Sequence, residues 1–387
     1  MKIQILGGGP AGLYCGLLLK KANPDYQVTV LERNPPDATY GFGVVFSDRT
    51  LAAFQEADLK SYRAIRDRFV SWDAIDISNH GALARCGGHG FAGLARKELL
   101  GILQERCGEL GVALRYHTEV RDLAALGEPD LIIAADGVNS LIRSTHADAF
   151  SPSLAEGQAR YIWFGAEKVL DAFTFIFRGN DAGLFQVHDY PFNGTTSTVI
   201  VECAESTWRR AGLEGASEAE SIAYCERLFA PELSGARLLS NNSRWITFVT
   251  VKNARWSHRN VVLIGDAAHT AHFSIGSGTK LAMEDAIALA TALTQHPGEM
   301  RMALRLYELE RKPVVEAFQR AAVESQTYFE HVDRYAGLPP LPFAFNLLTR
   351  SGRVSYDDLR LRDPRFGARV DREFSWQATP PTGAAVP

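Results

Sequence analysis

Residues 2–33 constrain the fold more than any other part of the chain. They run KIQIL, GGGPAG, LYCGLLLKKA and, after a short polar break, QVTVLER. An apolar run ends at Leu6, glycines occupy positions 7, 8, 9 and 12, and a helical pattern opens at Pro10 and Ala11. Strand, glycine turn, helix and strand in that order are the βαβ pattern of a parallel sheet. Gly7 permits the tight turn. Gly9 lets the backbone approach a pyrophosphate, and Gly12 lets helix and strand pack closely. The helix start then offers free N–H groups and positive potential to an anion. A lone GxGxxG is weak evidence. Here Glu32 closes the second strand about 20 residues on, where an acid binds a ribose hydroxyl. Arg33 follows it, as an adenine contact or as a solvated surface charge.

The texture of a parallel sheet continues to about residue 137. ARKELLGILQERCGELG reads as a helix, VALRY as a strand and PDLIIAADG as a buried strand. Between 160 and 202 it changes. YIWFGA, AFTFIF, LFQVHDY and TSTVIVE are β-rich runs separated by RGNDAG and PFNGT, and the Asn-Gly of the second gap is a hairpin signal. An antiparallel sheet is expected there. SEAESIAYCERLF opens with Ser217 and Glu220 in capping-box spacing. RWITFVTVK reads as one more strand, and NVVLI returns to the buried-strand texture. The fold class is therefore α/β (α+β overall), a Rossmann-like dinucleotide domain interrupted by an inserted antiparallel-sheet domain. Residues 1–70, 95–158 and 255–300 are assigned to the first, and 71–94 and 159–254 to the second. Residues 301–387 form a C-terminal helical region, where Pro313 is expected to end or kink the helix. The Pro- and Ala-rich tail is expected to be disordered.

Composition removes several function classes. The chain has 387 residues, 46% hydrophobic and 22% charged, as for an ordinary globular protein. Its net charge of −4 and pI near 6.2 give no field that would gather nucleic acid. The segment MKIQILGGGPAG lacks the apolar core and cleavage site of a signal peptide. Nowhere do 18 apolar residues run uninterrupted, so no membrane partner is expected. Cys15, Cys86, Cys107, Cys203 and Cys225 are scattered without a CxxC, the pattern of reduced, buried thiols in a cytoplasmic protein.

Two further stretches bear on the ligand. DLIIAADGVNSLIR ends a strand at Asp136-Gly137 and goes on to Ser140 and Arg143. GDAAHTAHFSIGSGTK, residues 265–280, holds one Asp, two His and two closely spaced Gly before a helical pattern. His269 and His272 could face one way on a helix. No third and fourth ligand lies at credible spacing, so no metal is expected. Taken with GGGPAG, these stretches resemble, in order and spacing, the flavoprotein monooxygenases related to p-hydroxybenzoate hydroxylase. The resemblance implies FAD as cofactor, with NADH or NADPH as a transient co-substrate. It makes Gly7, Gly9, Pro10, Ala11, Gly12, Glu32 and Arg33 the nucleotide end of the FAD site. It makes Arg96 a contact to the flavin phosphates, and Val120 and Asp136 neighbours of the cofactor. Asp266, with Ala267, becomes the ribityl ligand. Gly276, Gly278, Thr279 and Lys280 become a helix start under the flavin ring, where positive potential favours charge on the reduced ring.

Within that family, YGFGVVFSD, GGHGFAGLARKELL, QVHDY and GDAAHTAHFSIGSGTK look like a narrower group. These are the salicylyl-CoA 5-hydroxylases and the monooxygenase half of 2-aminobenzoyl-CoA monooxygenase/reductase. A tryptophan hydroxylase of the violacein pathway looks similar in the same places. The resemblance implies hydroxylation of a small aromatic substrate, carried as a CoA thioester, by O₂ activated as a flavin C4a-hydroperoxide. A free indole or phenol as substrate, or a flavin-binding protein without hydroxylase activity, are the alternatives. Where most of the wider family carries Pro-Pro, this sequence has His272 and Phe273. The pocket floor is thus built differently, and Phe273 becomes a candidate substrate contact. His188 and His272 are the candidate catalytic residues. Alternation along LFQVHDY puts Gln186 on the same side as His188. His269 is read as structural. No basic residue stands out for a CoA tail, and no oligomeric state is read.

Overall fold

The computed structural model describes residues 1–47 and 51–378, with side chains as far as residue 374. Asp48, at the end of YGFGVVFSD, and the tail from Thr379 lie outside the described residues.

A six-stranded sheet forms the first half. Its order is Ser257–His258, Val261–Leu263, Leu131–Ala134, Lys2–Leu6, Gln27–Leu31 and Ala113–Arg115. All pairs are parallel except the Ser257–His258 and Val261–Leu263 hairpin. Helix α1 (Pro10–Ala22) is buried along its first ten residues, Pro10 to Leu19. Its sequence, apolar on every side, suits a helix walled in on all faces. It lies against the sheet, α2 (Arg96–Leu110) and α3 (Gly278–Gln295), in a single apolar core.

The second half is a seven-stranded sheet. Its order is Leu238–Leu239, Ala159–Ala166, Ser197–Ala204, Gly183–Pro191, Phe173–Asn180, Ile75–Asn79 and Ala82–Cys86. Register sorts its residues onto two faces. Phe164, Phe185, Val187, Val199 and Val201 pack under the helix Glu218–Leu228 on one. Tyr161, Glu202, Gln186, His188 and Phe175 share the other, because Tyr161 pairs with Glu202, Glu202 with Gln186 and His188 with Phe175. The PFNGT segment closes its hairpin with a five-residue loop, Phe192 to Thr196, rather than a two-residue turn. Asn193 Oδ1 accepts hydrogen bonds from both Thr195 and Thr196 and holds that loop.

Two expectations are corrected. RWITFVTVK is a strand only from Val249; before it, Ile246 makes a single bridge to Tyr161. The segment leaves the seven-stranded sheet there and pairs instead with Pro152–Glu156. Pro313 does not end its helix, because α4 (Met300–Glu330) runs through it for 31 residues. The missing N–H would have reached the carbonyl of Leu309. Pro313 and Leu309 both face solvent, so water can take that carbonyl.

Helix α4 reaches both halves of the molecule. Near its start the Tyr307 hydroxyl donates to Leu263 O at 3.0 Å, in the parallel sheet. Gln319 donates to Val251 O and Thr270 O, both at 2.8 Å. Near its end, Phe329 stacks on Phe175 and accepts a bond from Gln186. The C-terminal helices, including Pro340–Thr349, cover the same sheet through Phe343, Leu347 and Phe366. All five cysteines are buried and free. Among the described residues, no helix is long and apolar enough to cross a membrane.

Candidate functional site

The glycine turn at the top of the first strand is forced by its surroundings. Gly7 has φ +104, and a Cβ there would lie 2.2 Å from Ala135 O. A Cβ on Gly12 would lie 2.0 Å from Gly7 O. Gly9 is different, since a Cβ there would meet nothing within 4 Å. Its glycine keeps space open above the start of α1 rather than fitting a tight contact. Pro10 and Ala11, the first residues of α1, are buried. Glu32 is tied to the turn, accepting from Gly8 N at 2.7 Å on one oxygen and from Asn34 N and Nδ2 at 2.8 Å on the other. Arg33 is exposed. Thr118 N donates to Glu32 O, and Val120, two residues on, is half-buried against the apolar core.

The second and third motifs are joined by Arg143. Its guanidinium donates to Ala267 O at 3.1 Å and to Val138 O. Asp136 is largely spent on local structure, its Oδ2 accepting from Leu141 N at 2.8 Å at the start of a short helix. Its Oδ1 is buried and has no partner among the described residues. Burial pushes this carboxyl above its ordinary range, against bonds from Ser140 and nearby backbone that lower it. Asp266 is the exposed residue in a run, Val261 to Thr270, that is otherwise buried. It lies in a concavity, and lost hydration pushes its carboxyl up, with His269 and Arg96 pulling it back. Arg96 opens α2 and feels the charges of Asp266 and Tyr190, while burial lowers its own pKa. Among the described residues no side-chain partner hydrogen-bonds to Asp266 or to the Arg96 guanidinium.

Asp285 holds the Gly265–Ala267 turn in place. Its carboxylate accepts from His269 Nε2 at 2.6 Å, Gly265 N at 3.0 Å and Arg311 Nε at 3.0 Å. His269 is thus engaged inside the core, and the two histidines of the stretch go to separate partners. Helix α3 begins at Gly278, after Gly276 in the left-handed region at φ +59. Its start has no side-chain cap and no acidic residue in the first turn, and Ser277 Oγ is buried without a partner among the described residues. A Cβ on Gly276 or Gly278 would meet nothing within 4 Å. Thr279 is half-buried. Lys280 is not free, since its ammonium sits 2.7 Å from Glu284 Oε1 and 4.7 Å over the Phe318 ring. Open space at three glycines, a bare helix N-terminus and an orphaned hydroxyl are what a bound dinucleotide would fill. The residues present therefore fit FAD.

The sheet face opposite carries the polar side chains. His188 and Glu202 are buried, with Nε2 and Oε2 3.1 Å apart, and His188 Nδ1 has no partner among the described residues. His272 Nε2 lies 3.6 Å from the other Glu202 oxygen, and its Nδ1 is 2.8 Å from Ser274 Oγ. Burial lowers His188 to about 3, helped by Arg350. It lowers His272 to about 4, with Glu202 opposing. Both imidazoles are therefore neutral at neutral pH. Burial pushes Glu202 above its ordinary range, while His272 pulls it back. The Phe273 ring packs against Tyr161, His188 and His272, and Gln186 Nε2 donates to Phe329 O at 3.3 Å. Tyr161 feels the charge of Asp266, and Tyr190 that of Arg96, so this face fronts the third motif. The sequence flagged His188, His272, Gln186 and Phe273, and the structure brings all four together. It did not flag Glu202, Ser274, Ser325 or Arg350. A carboxylate in the apolar run STVIVECA was the available signal.

Comparison with known proteins gives consistent results. The FAD binding domain family matches residues 96–322. The chain is 44% identical over 381 residues to the salicyloyl-CoA 5-hydroxylase of Streptomyces sp, covering 96% of this chain and 73% of that protein. It is 38% identical to the 3-hydroxy-4-methyl-anthranilyl-[aryl-carrier protein] 5-monooxygenase of Streptosporangium sibiricum, over 93% of this chain and 97% of that one. The tetrameric form of 2-methyl-3-hydroxypyridine-5-carboxylic acid oxygenase superposes with a TM-score of 0.70 at 20% identity, over 94% of this chain and 97% of that one. At that identity the last likeness speaks for the fold alone.

Proposed function

Since the chain belongs to the family of FAD-dependent aromatic monooxygenases related to p-hydroxybenzoate hydroxylase, we propose that its substrate is an aromatic acid carried as a thioester, on CoA or on a carrier protein. NADH or NADPH supplies the electrons and O₂ the oxygen atom. Support for the thioester comes first from the relatives, whose names join a salicyloyl group to CoA and an anthranilyl group to a carrier protein. The chemistry of the sheet face agrees. A free benzoate would bury a carboxylate there and require a paired cation. Of the guanidinium groups at that face, Arg350, over the Phe175 ring, is already engaged by Ser325 Oγ, Leu347 O and Ser274 O, each at 2.8 Å, and Arg96 is assigned to the cofactor. A thioester carbonyl is uncharged and needs no such partner.

On this reading residues 1–70, 95–158 and 255–300 hold FAD, and 71–94 and 159–254 shape the substrate site. FAD, when bound, supplies the oxygen-activating chemistry. Gly9, Gly276 and Gly278 leave it room, Glu32 meets its ribose and Asp266 its ribityl chain. Phe273, Tyr161 and Phe175 hold the substrate ring flat and exclude water. Gln186, His188 and His272 orient the polar substituents of the ring.

The observation that carries the reading is this aromatic face, with two neutral imidazoles around one carboxylate, fronting Asp266. The test is direct. Purified protein should be yellow. Oxidation of NADH or NADPH should be stimulated by salicylyl-CoA well above free salicylate, benzoyl-CoA or tryptophan, with formation of a hydroxylated ester. Equal stimulation by free salicylate would sink the thioester, and tryptophan as the best substrate would favour an indole hydroxylase.

A further inference from the structure

The direction of hydrogen bonds fixes where protons sit around Glu202. Arg350 Nε can only donate, and it donates to Ser325 Oγ at 2.8 Å. The one hydroxyl hydrogen of Ser325 is then free for its other partner, Ser274 Oγ, at 2.7 Å. Ser274 passes its own hydrogen to His272 Nδ1 at 2.8 Å, and its backbone N–H points at the same nitrogen at 3.4 Å. A nitrogen that receives two donors carries no hydrogen. Neutral His272 is therefore protonated on Nε2, facing Glu202 Oε1 at 3.6 Å. On the other side an ionised Glu202 accepts from His188 Nε2 at 3.1 Å. His188 Nδ1 is left as a bare lone pair, buried among the rings of Phe175, Phe273 and Phe329, which offer no N–H or O–H donor.

We propose that His188 and Glu202 act as one proton acceptor for the hydroxyl or amine on the substrate ring, with Arg350 setting the arrangement through Ser325, Ser274 and His272. The proposal rests on the hydroxylase reading above. As the O–H or N–H bond of the substrate breaks, a new bond forms at His188 Nδ1. The hydrogen on Nε2 crosses to Glu202 Oε2. The step ends with a neutral imidazole beside a neutral carboxylic acid and involves no electron transfer to or from the protein. Burial drives this outcome, because it opposes an imidazolium and a carboxylate alike. The substrate reaches His188 Nδ1 by displacing the partly exposed Phe273 ring that packs on it, and His188 is then the catalytic residue. Glu202 and Arg350 act through it and are positioning residues. The other titratable groups facing the pair are His272, Tyr161 on the neighbouring strand and Glu330 on α4. Arg350 favours ionised Glu202 and Glu330 opposes it.

The experiment uses FAD-loaded enzyme, with salicylyl-CoA and phenol as separate probes. Binding of either probe should bring up the C=O band of a protonated carboxyl in the infrared difference spectrum, together with phenolate absorbance. Both should vanish in Glu202→Gln. The same variant should lose about 100-fold in kcat with little change in KM, the scale of general-base catalysis, and Glu202→Asp should recover part. The acidic limb of the native kcat profile, where the pair is already protonated, should disappear in Glu202→Gln. Ser325→Ala leaves the pair in place but frees His272, and should shift that limb while FAD content stays native. A band that persists in Glu202→Gln, no band with either probe, or a native pH profile in Ser325→Ala would overturn the proposal. A band with phenol but no response to the ester would sink the thioester and leave the proton acceptor standing.

Discussion

The glycine cradle and the aromatic sheet face lie opposite each other and are built from different materials. The cradle acts through backbone: a left-handed Gly7, open space at Gly9 and Gly278, and a helix start with no cap. Among the described residues its free polar groups include the N–H groups of that uncapped helix start, Ser277 Oγ and Asp136 Oδ1. The sheet face acts through buried side chains, with Glu202 between His188 and His272. There the buried atoms without a hydrogen-bond partner among the described residues include His188 Nδ1, Glu202 Oε1 and Trp163 Nε1. The first region holds a cofactor by shape. The second holds a proton by arrangement. A change in the cradle should therefore affect flavin occupancy, and a change on the sheet face should affect turnover at full occupancy.

Four substitutions, with Glu202→Gln as their counterpart, would break or sharpen that contrast. Gly12→Ala should have the largest effect. Its Cβ would lie 2.0 Å from a backbone oxygen that cannot step aside. A cost above about 3 kcal/mol is expected, read as colourless protein with a broadened unfolding transition. Asp285→Ala comes next. It leaves Arg311 buried beside the cradle without its main partner, at about 3–5 kcal/mol by denaturant titration. The bonds from His269 and Arg311 hold the Asp285 carboxyl below its ordinary range, despite burial. Its contribution is therefore full above the unfolded carboxylate pKa of about 3.9 and lost as pH falls through the lower folded value. The variant should show a flatter acid-unfolding curve. Asp266→Ala removes an exposed carboxylate that bonds to no other side chain among the described residues, so stability should hold. FAD should bind about 10- to 100-fold more weakly by fluorescence titration, the worth of one hydrogen bond to a charged group. Unchanged retention would refute the ribityl role. Lys280→Met should do least, since that ammonium is paired with Glu284. Stability should fall by less than about 1 kcal/mol, with FAD affinity within about twofold.

The cradle was legible because its parts are local. GGGPAG with Glu32, and GDAAH with Gly276 and Gly278, carry their meaning within a few residues or at one fixed spacing. The second sheet was legible in outline, because period-two runs and turn residues mark its strands. The proton acceptor was not. Its meaning depends on register across 14 residues between His188 and Glu202, and on contacts 51 residues apart between Ser274 and Ser325. Lys280 does lie at the helix start, and the same spacing puts Glu284 one turn away, where it pairs with the ammonium. That the helix would run on through Pro313 was not legible, because exposure, not sequence, decides whether a lost helical bond matters.

Helix α4 has a further meaning for the distance between these two regions. Arg311 on it fixes Asp285 beside the cradle, and Phe329 on it touches His188. Between them the helix advances by about 1.5 Å per residue, roughly 27 Å in all. It works as a ruler that both regions read. Inserting one residue after Pro313 would turn its far end by about 100° and carry it one step onward. Ser325 and Phe329 would then fall out of line with their partners. Each sheet would keep its own pairing, yet the two would no longer agree on where the ring of the substrate belongs.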